Sequence, residues 1–386
     1  MMLARIGATA LAATALCTAV PAHAAPPPAP RGYIVTLKAT LGTASAGHVA
    51  HRMAARYGGH VTHTYSHALH GFSAILTPSA AAALARDPAV AMVEPNRAVR
   101  IAATTQHDPP SWGLDRIDQG SLPLNHSYTY SRRASAVHAY VIDTGIRTTH
   151  HAFGGRAYSG WDFVDSDKDA TDCNGHGTHV AGTIGGSSYG VAKAVTLVAV
   201  RVLDCDGAGD DAGVIAGVDW VTAHAAKPAV ANMSIGGDPS ASLDAAVRRS
   251  ISSGITYGIA AGNGDDNGHA YDACKDSPSR VTQAIVVGAT SRTDYRAPWS
   301  NFGPCLDLFA PGVDILSAWW TGNDATATIS GTSMATPHVV GAAALYLAAH
   351  PLARPAQVRD ALVAAATKNL VHSAGAGSPN RLLRVA

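Results

Sequence analysis

Charge is sparse in this chain. Its 386 residues carry a net charge of +1, only 14% of them are charged, and Lys and Arg never gather into a long run. That excludes the electrostatic footprint of a nucleic-acid binder or of a protein that docks on an anionic membrane. Long apolar runs are scarce too. One spans residues 6–20 and no second follows, so no membrane-spanning helix is expected. No two cysteines form a Cys-x-x-Cys pair, which argues against a zinc site made of thiolates. What is plentiful is Gly, Ala and Val, a composition that suits a tightly packed globular protein and not a disordered one.

The beginning of the chain reads as a secretory signal over residues 1–24: a positive start at Met1 to Arg5, the apolar run, and small residues at Ala22-His23-Ala24. Cys17 is a poor candidate for a lipid anchor, because Thr14-Ala15-Leu16 does not fit that signal. The mature product is therefore expected to be secreted and extracellular, where disulfides persist. Cys173, Cys205, Cys274 and Cys305 allow three pairings. The sequence-local choice, Cys173 with Cys205 and Cys274 with Cys305, closes two loops, each adding up to roughly 3.5–4 kcal/mol by chain entropy.

Pro26 to Pro30 form a stiff linker into a small region at about 33–100. Strand patterns at 33–37, 72–76 and 90–93 and helical spacing at 48–57 and 78–86 predict a small α+β domain. The pattern lapses into Thr, Asp and Pro near 100–110, so the boundaries are drawn at 25–103 and 104–386. Six histidines, His48, His51, His60, His63, His67 and His70, crowd the small domain and could loosen it in acid, although an exposed polar face explains them as well. Beyond residue 112 short apolar strands (138–142, 196–202, 229–234, 255–260, 284–287) alternate with helices (176–184, 213–225, 242–252, 333–349). Such alternation predicts an α/β fold with a mostly parallel sheet covered on both faces, whose ligands gather at the carboxyl ends of the strands.

Three segments place chemistry at that edge: Val141-Ile142-Asp143-Thr144-Gly145, Asn174-Gly175-His176-Gly177-Thr178-His179 and Gly331-Thr332-Ser333-Met334-Ala335. A hydroxyl becomes a nucleophile when a base removes its proton, and a carboxylate fixes the base's tautomer and supports its charge. Ser333, His176 and Asp143 are the candidates for these roles. A Ser at a helix start is commonly only a cap, and an Asp at a strand end only a turn former; the company of the three motifs decides against both.

Those motifs, in the order Asp, His, Ser, resemble the subtilisin superfamily (peptidase family S8), most of all the aqualysin type within its proteinase K branch. The likeness runs from Ser111-Trp112-Gly113-Leu114-Asp115 to Asn380-Arg381-Leu382-Leu383. It implies a three-layer subtilisin-like fold with a mostly parallel central sheet, preceded over about 33–100 by a ferredoxin-like α+β inhibitor I9-type propeptide. It also implies a secreted, monomeric serine endopeptidase of broad specificity that acts on polypeptides. The enzyme would be made as a zymogen that cuts itself near 102–105 and uses its propeptide as chaperone and inhibitor. Asn263 is the implied oxyanion donor and His179 a packed neighbour of the base. Gly207, Ala208 and Gly209 on one side and Ser234, Ile235 and Gly236 on the other would pair with a substrate strand. Ser234, Ile235, Gly236, Ala260, Ala261 and Gly262 would wall an apolar pocket for the side chain before the cut. The four cysteines match the two disulfides of the aqualysin type.

The segment 264–273 is longer than its aqualysin counterpart and carries three Asp, which could admit basic side chains. Structural calcium is the implied cofactor, with no catalytic cofactor: Asp165, Asp167 and Asp172 form one candidate site, Asp115, Asp118 and Gln119 a second, and Asp307 with carbonyls near Thr282 and Ala284 a third. Two rival readings stand beside the protease: a binding protein whose propeptide never leaves, and an esterase. The triad order and the lack of Gly-x-Ser-x-Gly at Ser333 weigh against the esterase.

Overall fold

The computed structural model describes residues 29–38, 46–97 and 103–385; the expected signal at 1–24 and residue 102 of the expected cleavage region lie outside them. The chain divides at residue 100 into two compact units.

The first unit runs β1 (Arg31–Leu37), α1 (Ala46–Arg56), β2 (His60–Tyr65), β3 (Gly71–Leu76), α2 (Pro78–Leu84) and β4 (Val90–Pro95). Its strands form one sheet in the order β2-β3-β1-β4, every pair antiparallel. Alternation in β1 sends Tyr33, Val35 and Leu37 inward, where Val49 and Met53 of α1 meet them. Thr77 accepts the Ala80 N–H and Pro78 opens α2, an ordinary helix start. The sequence pattern passes over β2 because its side chains are mostly exposed and offer no apolar alternation. Of the six histidines, five are exposed and His70 is half-buried, as a plain polar face requires.

The second unit opens with a hairpin of β5 (Thr104–His107) and β6 (Ser127–Tyr130) around α3 (Trp112–Ile117). There follow β7 (His138–Asp143), β8 (Ala157–Asp162), α4 (His176–Gly185), β9 (Thr196–Arg201), α5 (Asp211–His224), β10 (Ala229–Met233), α6 (Ala241–Ser252), β11 (Thr256–Ala260), β12 (Ile285–Thr290) and β13 (Leu308–Pro311). A second hairpin, β14 (Ile315–Ala318) with β15 (Thr326–Ile329), precedes α7 (Thr332–Ala349), α8 (Pro355–Ala365), β16 (Thr367–Lys368) and β17 (Arg381–Leu382).

Nine strands make the central sheet in the order β16-β17-β13-β12-β11-β10-β7-β9-β8, and only the β16–β17 pair is antiparallel. β7 shows how both faces are covered. Ala139 and Val141 enter the core shared with α4 and α7, while Tyr140 and Ile142 enter the core shared with α5 and α6. The resulting three layers are those of a subtilisin-like fold. The chain places β9 and β8 on one side of β7 and β10 to β13 on the other. The carboxyl end of β7 is thus the point where strand order reverses, the usual place for a crevice in an open α/β sheet.

Candidate active site

Asp143 is the last residue of β7, fully buried at that reversal. Its Oδ1 accepts the Thr144 N–H at 2.8 Å and the His176 Nδ1–H at 2.7 Å. His176 opens α4, and two glycines let the helix come this close. Gly175 has φ 115°, a left-handed conformation that costs a β-branched residue dearly, and a Cβ on Gly177 would stand 2.2 Å from the Gly145 carbonyl. With Nδ1 committed to Asp143, Nε2 is left as the basic nitrogen facing the cleft. Burial disfavours the charged imidazole, but the Asp143 carboxylate outweighs it, and the His176 pKa lies above its ordinary value.

Asp172 clamps this corner. It is buried, and its two oxygens accept from Thr144 Oγ1 and the Asn174 and Gly175 N–H groups (2.9 Å each), and from the Thr178 N–H at 2.9 Å and Thr178 Oγ1 at 2.5 Å. Three residues on, His179 turns the other way. Its Nε2 meets the Ile315 carbonyl at 2.9 Å, its ring stands edge-on to Trp319, and burial pushes its pKa down to about 4.

Ser333 is the second residue of α7. Pro337 lies inside that helix without ending it, since a proline in the first turns removes only one backbone bond. The bond removed is the one the Ser333 carbonyl would have accepted. Ser234 Oγ–H fills the gap, donating to that carbonyl at 2.9 Å, and Ser333 Oγ in turn donates to the Ser234 carbonyl at 3.1 Å. Ser333 and the segment at Ser234 are therefore latched together. Asn263 is fixed as firmly: its Oδ1 accepts from the Thr332 N–H (2.8 Å) and Thr332 Oγ1 (2.9 Å), which leaves Nδ2 as the donor toward the cavity it lines beside Ser333.

Two cavities adjoin these groups. The larger, about 510 Å³, is lined by His176 and by both expected edges, Gly207 to Gly209 and Ser234 to Gly236, with Asn174 added. The smaller, about 280 Å³, is lined by Ser234 to Asp238, Ala260, Gly262, Asn263, Gly264, Tyr271, Asp276 and Ser333. Ala261 does not line it; that side chain is buried against Ala273, Val286 and Leu306. Sequence reading missed Asn174, Tyr271 and Asp276, since only the folding of three distant segments brings the last two to the pocket. The disulfides are Cys173–Cys205 (2.05 Å) and Cys274–Cys305 (2.12 Å), the sequence-local pairs. One fastens the approach to His176, the other the far end of the 264–273 segment.

The expected calcium residues separate into three cases. Asp165, Asp167 and Asp172 do not converge, and this expectation is corrected. Asp172 is the clamp just described, Asp165 pairs with Arg201 at 2.7 Å, and Asp167 accepts the Asp169 N–H; among the described residues no three His, Cys, Asp or Glu side chains cluster as a metal site. Asp307 is buried and pushed up to about 6 by that burial, its Oδ2 accepts the Val286 N–H, and Arg359 reaches both the Thr282 carbonyl and Asp307. A cation from the chain thus already stands beside Asp307. The group at Asp115, Asp118 and Gln119 fits calcium best. Asp118 Oδ1 and Gln119 Oε1 are buried oxygens without a hydrogen-bond partner, and burial, then the neighbouring Asp115 charge, raises the Asp118 pKa. Unpaired hard oxygens are what Ca²⁺ takes.

Comparison with known proteins gives the family. The subtilase family model matches residues 136–382 and the peptidase inhibitor I9 model residues 32–102. The extracellular serine proteinase of Thermus sp. (strain Rt41A) is 56% identical over 326 residues, 84% of this chain and 78% of its own length. Alkaline serine exoprotease A of Vibrio alginolyticus is 50% identical over 336 residues, 86% of this chain but 61% of its own length. Proteinase T of Parengyodontium album is 45% identical over 298 residues, 75% of this chain and 97% of its own. The crystal structure of a cold adapted subtilisin-like serine proteinase superposes with a TM-score of 0.69 at 53% identity, covering 71% of this chain and 98% of that one. With an I9-type propeptide, a subtilisin-like fold and these relatives, the chain is a serine-type endopeptidase and belongs to the subtilase family, in its proteinase K branch.

Proposed function

We propose that the chain is a secreted endopeptidase that hydrolyses peptide bonds through an acyl-enzyme on Ser333. The observation that carries this reading is the 2.7 Å bond from His176 Nδ1 to a carboxylate with no solvent access. His176 Nε2 takes the Ser333 proton as Oγ attacks the scissile carbonyl, then returns it to the leaving amine. The hydroxyl must swing from the Ser234 carbonyl toward His176 for this, a tightening commonly deferred until substrate binds. Asn263 Nδ2 and the Ser333 N–H, which no turn of α7 uses, receive the oxygen as it becomes an anion. The substrate lies as an added strand between the edges at 207–209 and 234–236, so recognition rests largely on main chain and is broad along the groove.

The signal at 1–24, release at the 103–104 boundary by self-cleavage, the I9-type domain as chaperone and inhibitor, and a monomeric mature enzyme complete the proposal. Neither nucleic acid nor membrane has a part in it. Structural Ca²⁺ would be held by Asp118 and Gln119 with Asp115 behind them. Expression of the full chain and of Ser333→Ala, with mass spectrometry of the mature N-terminus, tests it. Wild type should begin near Thr104 while the variant keeps the segment from Ala25. Identical N-termini in both would remove self-processing.

A further inference from the structure

The pocket beside Ser333 was expected to be apolar, and its walls are: Ile235, Gly236, Ala260 and Gly262 bring little but backbone and aliphatic surface. Its remaining lining is largely polar and includes two acids. Asp276 and Asp238 both contribute to it, together with the Tyr271 ring. Asp276 is half-buried, and its Oδ2 accepts the Tyr271 hydroxyl at 2.8 Å with Asn301 Nδ2 farther off at 3.4 Å. Burial, and then the Asp238 charge, raises its pKa against the lowering effect of Tyr271; the cation acting on it, exposed Lys275, is the weakest influence. This is a carboxylate taken partly out of water without a counter-charge to match, an arrangement that costs free energy unless a cation arrives.

Its placement is rigid. One residue on, Ser277 exchanges backbone hydrogen bonds with Gly237, the continuation of the substrate edge, at 3.0 and 3.1 Å. Two residues back, Cys274 is held by its disulfide, and the Tyr271 N–H is held by Asn301 Oδ1 at 3.0 Å. The three Asp of the longer segment do other things. Asp265 closes a turn on the N–H groups of Asn267 and His269, Asp272 accepts the Cys274 N–H, and Asp266 is exposed. The acid of the pocket lies outside the segment in which acidity was expected to matter.

We propose that Asp276 makes this pocket a receptor for a cationic side chain, so that the enzyme cuts after Arg or Lys in preference to Phe or Leu. The proposal rests on the endopeptidase reading and sharpens it. A planar guanidinium pairs with one carboxylate through two hydrogen bonds and can stack on the Tyr271 ring, while its methylene stem lies along the small aliphatic walls. An apolar side chain would seal the same carboxylate away from water unpaired, and sites built on a polar group reject ligands that leave it so.

The test uses mature enzyme and peptide p-nitroanilides identical except for the last residue: Arg, Lys, Phe or Leu. Arg should exceed Phe at least tenfold in kcat/KM, and Asp276→Asn should lower that ratio tenfold or more. Benzamidine should inhibit wild type at least tenfold better than neutral benzamide, a comparison that stands even if the variant fails to mature. Cleavage after Phe or Leu that equals or exceeds cleavage after Arg, a ratio unmoved in Asp276→Asn, or equal inhibition by the two probes overturns the assignment alone. Hydrolysis of none of the four overturns the endopeptidase reading and this proposal with it.

Discussion

At the catalytic corner the key side chains are tied down by hydrogen bonds: Asp172 alone accepts five donors, and Asn263 gives its oxygen to Thr332 twice. In the proposed pocket for the substrate's side chain, Asp276 is partly buried beside Asp238, with exposed Lys275 the one cation acting weakly on it. Apart from the swing of the Ser333 hydroxyl, the corner is set before substrate arrives, and the pocket is completed by it. Preorganised hydrogen bonds accelerate a reaction because they need not rearrange when charge develops, whereas an uncompensated group discriminates because the wrong ligand leaves it stranded.

The comparison can be broken first at the corner. Ser333→Ala should lower kcat by about 10⁵–10⁶ on a peptide anilide, measured on enzyme whose propeptide has been removed by an added protease. Asn263→Ala should cost about 10²–10³ in kcat with little change in KM; a loss carried by KM would move Asn263 from transition-state to ground-state binding. The two histidines of α4 separate in pH. Because the His176 pKa is raised, kcat/KM should fall about tenfold per pH unit below a midpoint above 6.5, and a midpoint below 6.5 would contradict the Asp143 pairing.

Stability should follow the buried pair His179 and His338, each pushed down to about 4 by burial. An unfolded chain takes up their protons near pH 6.5 while the folded one refuses them until about 4, so stability falls as pH drops across that window. The loss is up to roughly 3 kcal/mol for each histidine. Asp307 works in the opposite sense, since its folded pKa of about 6 exceeds the unfolded one and returns stability as pH falls from 6 to 4. Urea melts of phosphonylated mature enzyme at pH 7 and 4.5 should show a net loss, and Asp307→Asn should enlarge it. The smallest effect belongs to calcium. Chelation should lower Tm by several degrees, and Asp118→Asn should abolish the difference; an unchanged Tm on chelation would remove the metal from that site.

Legibility in the sequence divides along the same line. Asp143, His176 and Ser333 could be read because each sits in a short stretch whose glycines and small residues are demanded by close backbone approach, as Gly177 against the Gly145 carbonyl illustrates. Central strands such as β7, β9 and β10 could be read because burial on both faces makes them continuous apolar runs. The exposed β2, the four-residue strands of the β14–β15 hairpin and the two-residue β16 and β17 carry too little pattern for that. α8 had a signal that went unused, Pro355 at its first position with Gln357 Oε1 accepting the Arg354 N–H. Asp172 was misassigned because an acid amid acids looks like a calcium ligand until its donors are known. Asp276 was invisible, since nothing near it in the chain says that Gly262 and Gly236 will be its neighbours.

The account turns on whether the Ser333 hydroxyl is activated, and covalent labelling reads this directly. Mature enzyme treated with a fluorophosphonate and digested should carry a single adduct, on the peptide containing Ser333, and His176→Ala should carry none under the same conditions. An adduct on another residue, or equal labelling of Ser333 in His176→Ala, would contradict the assignment of His176 and Asp143 as the groups that make Ser333 a nucleophile.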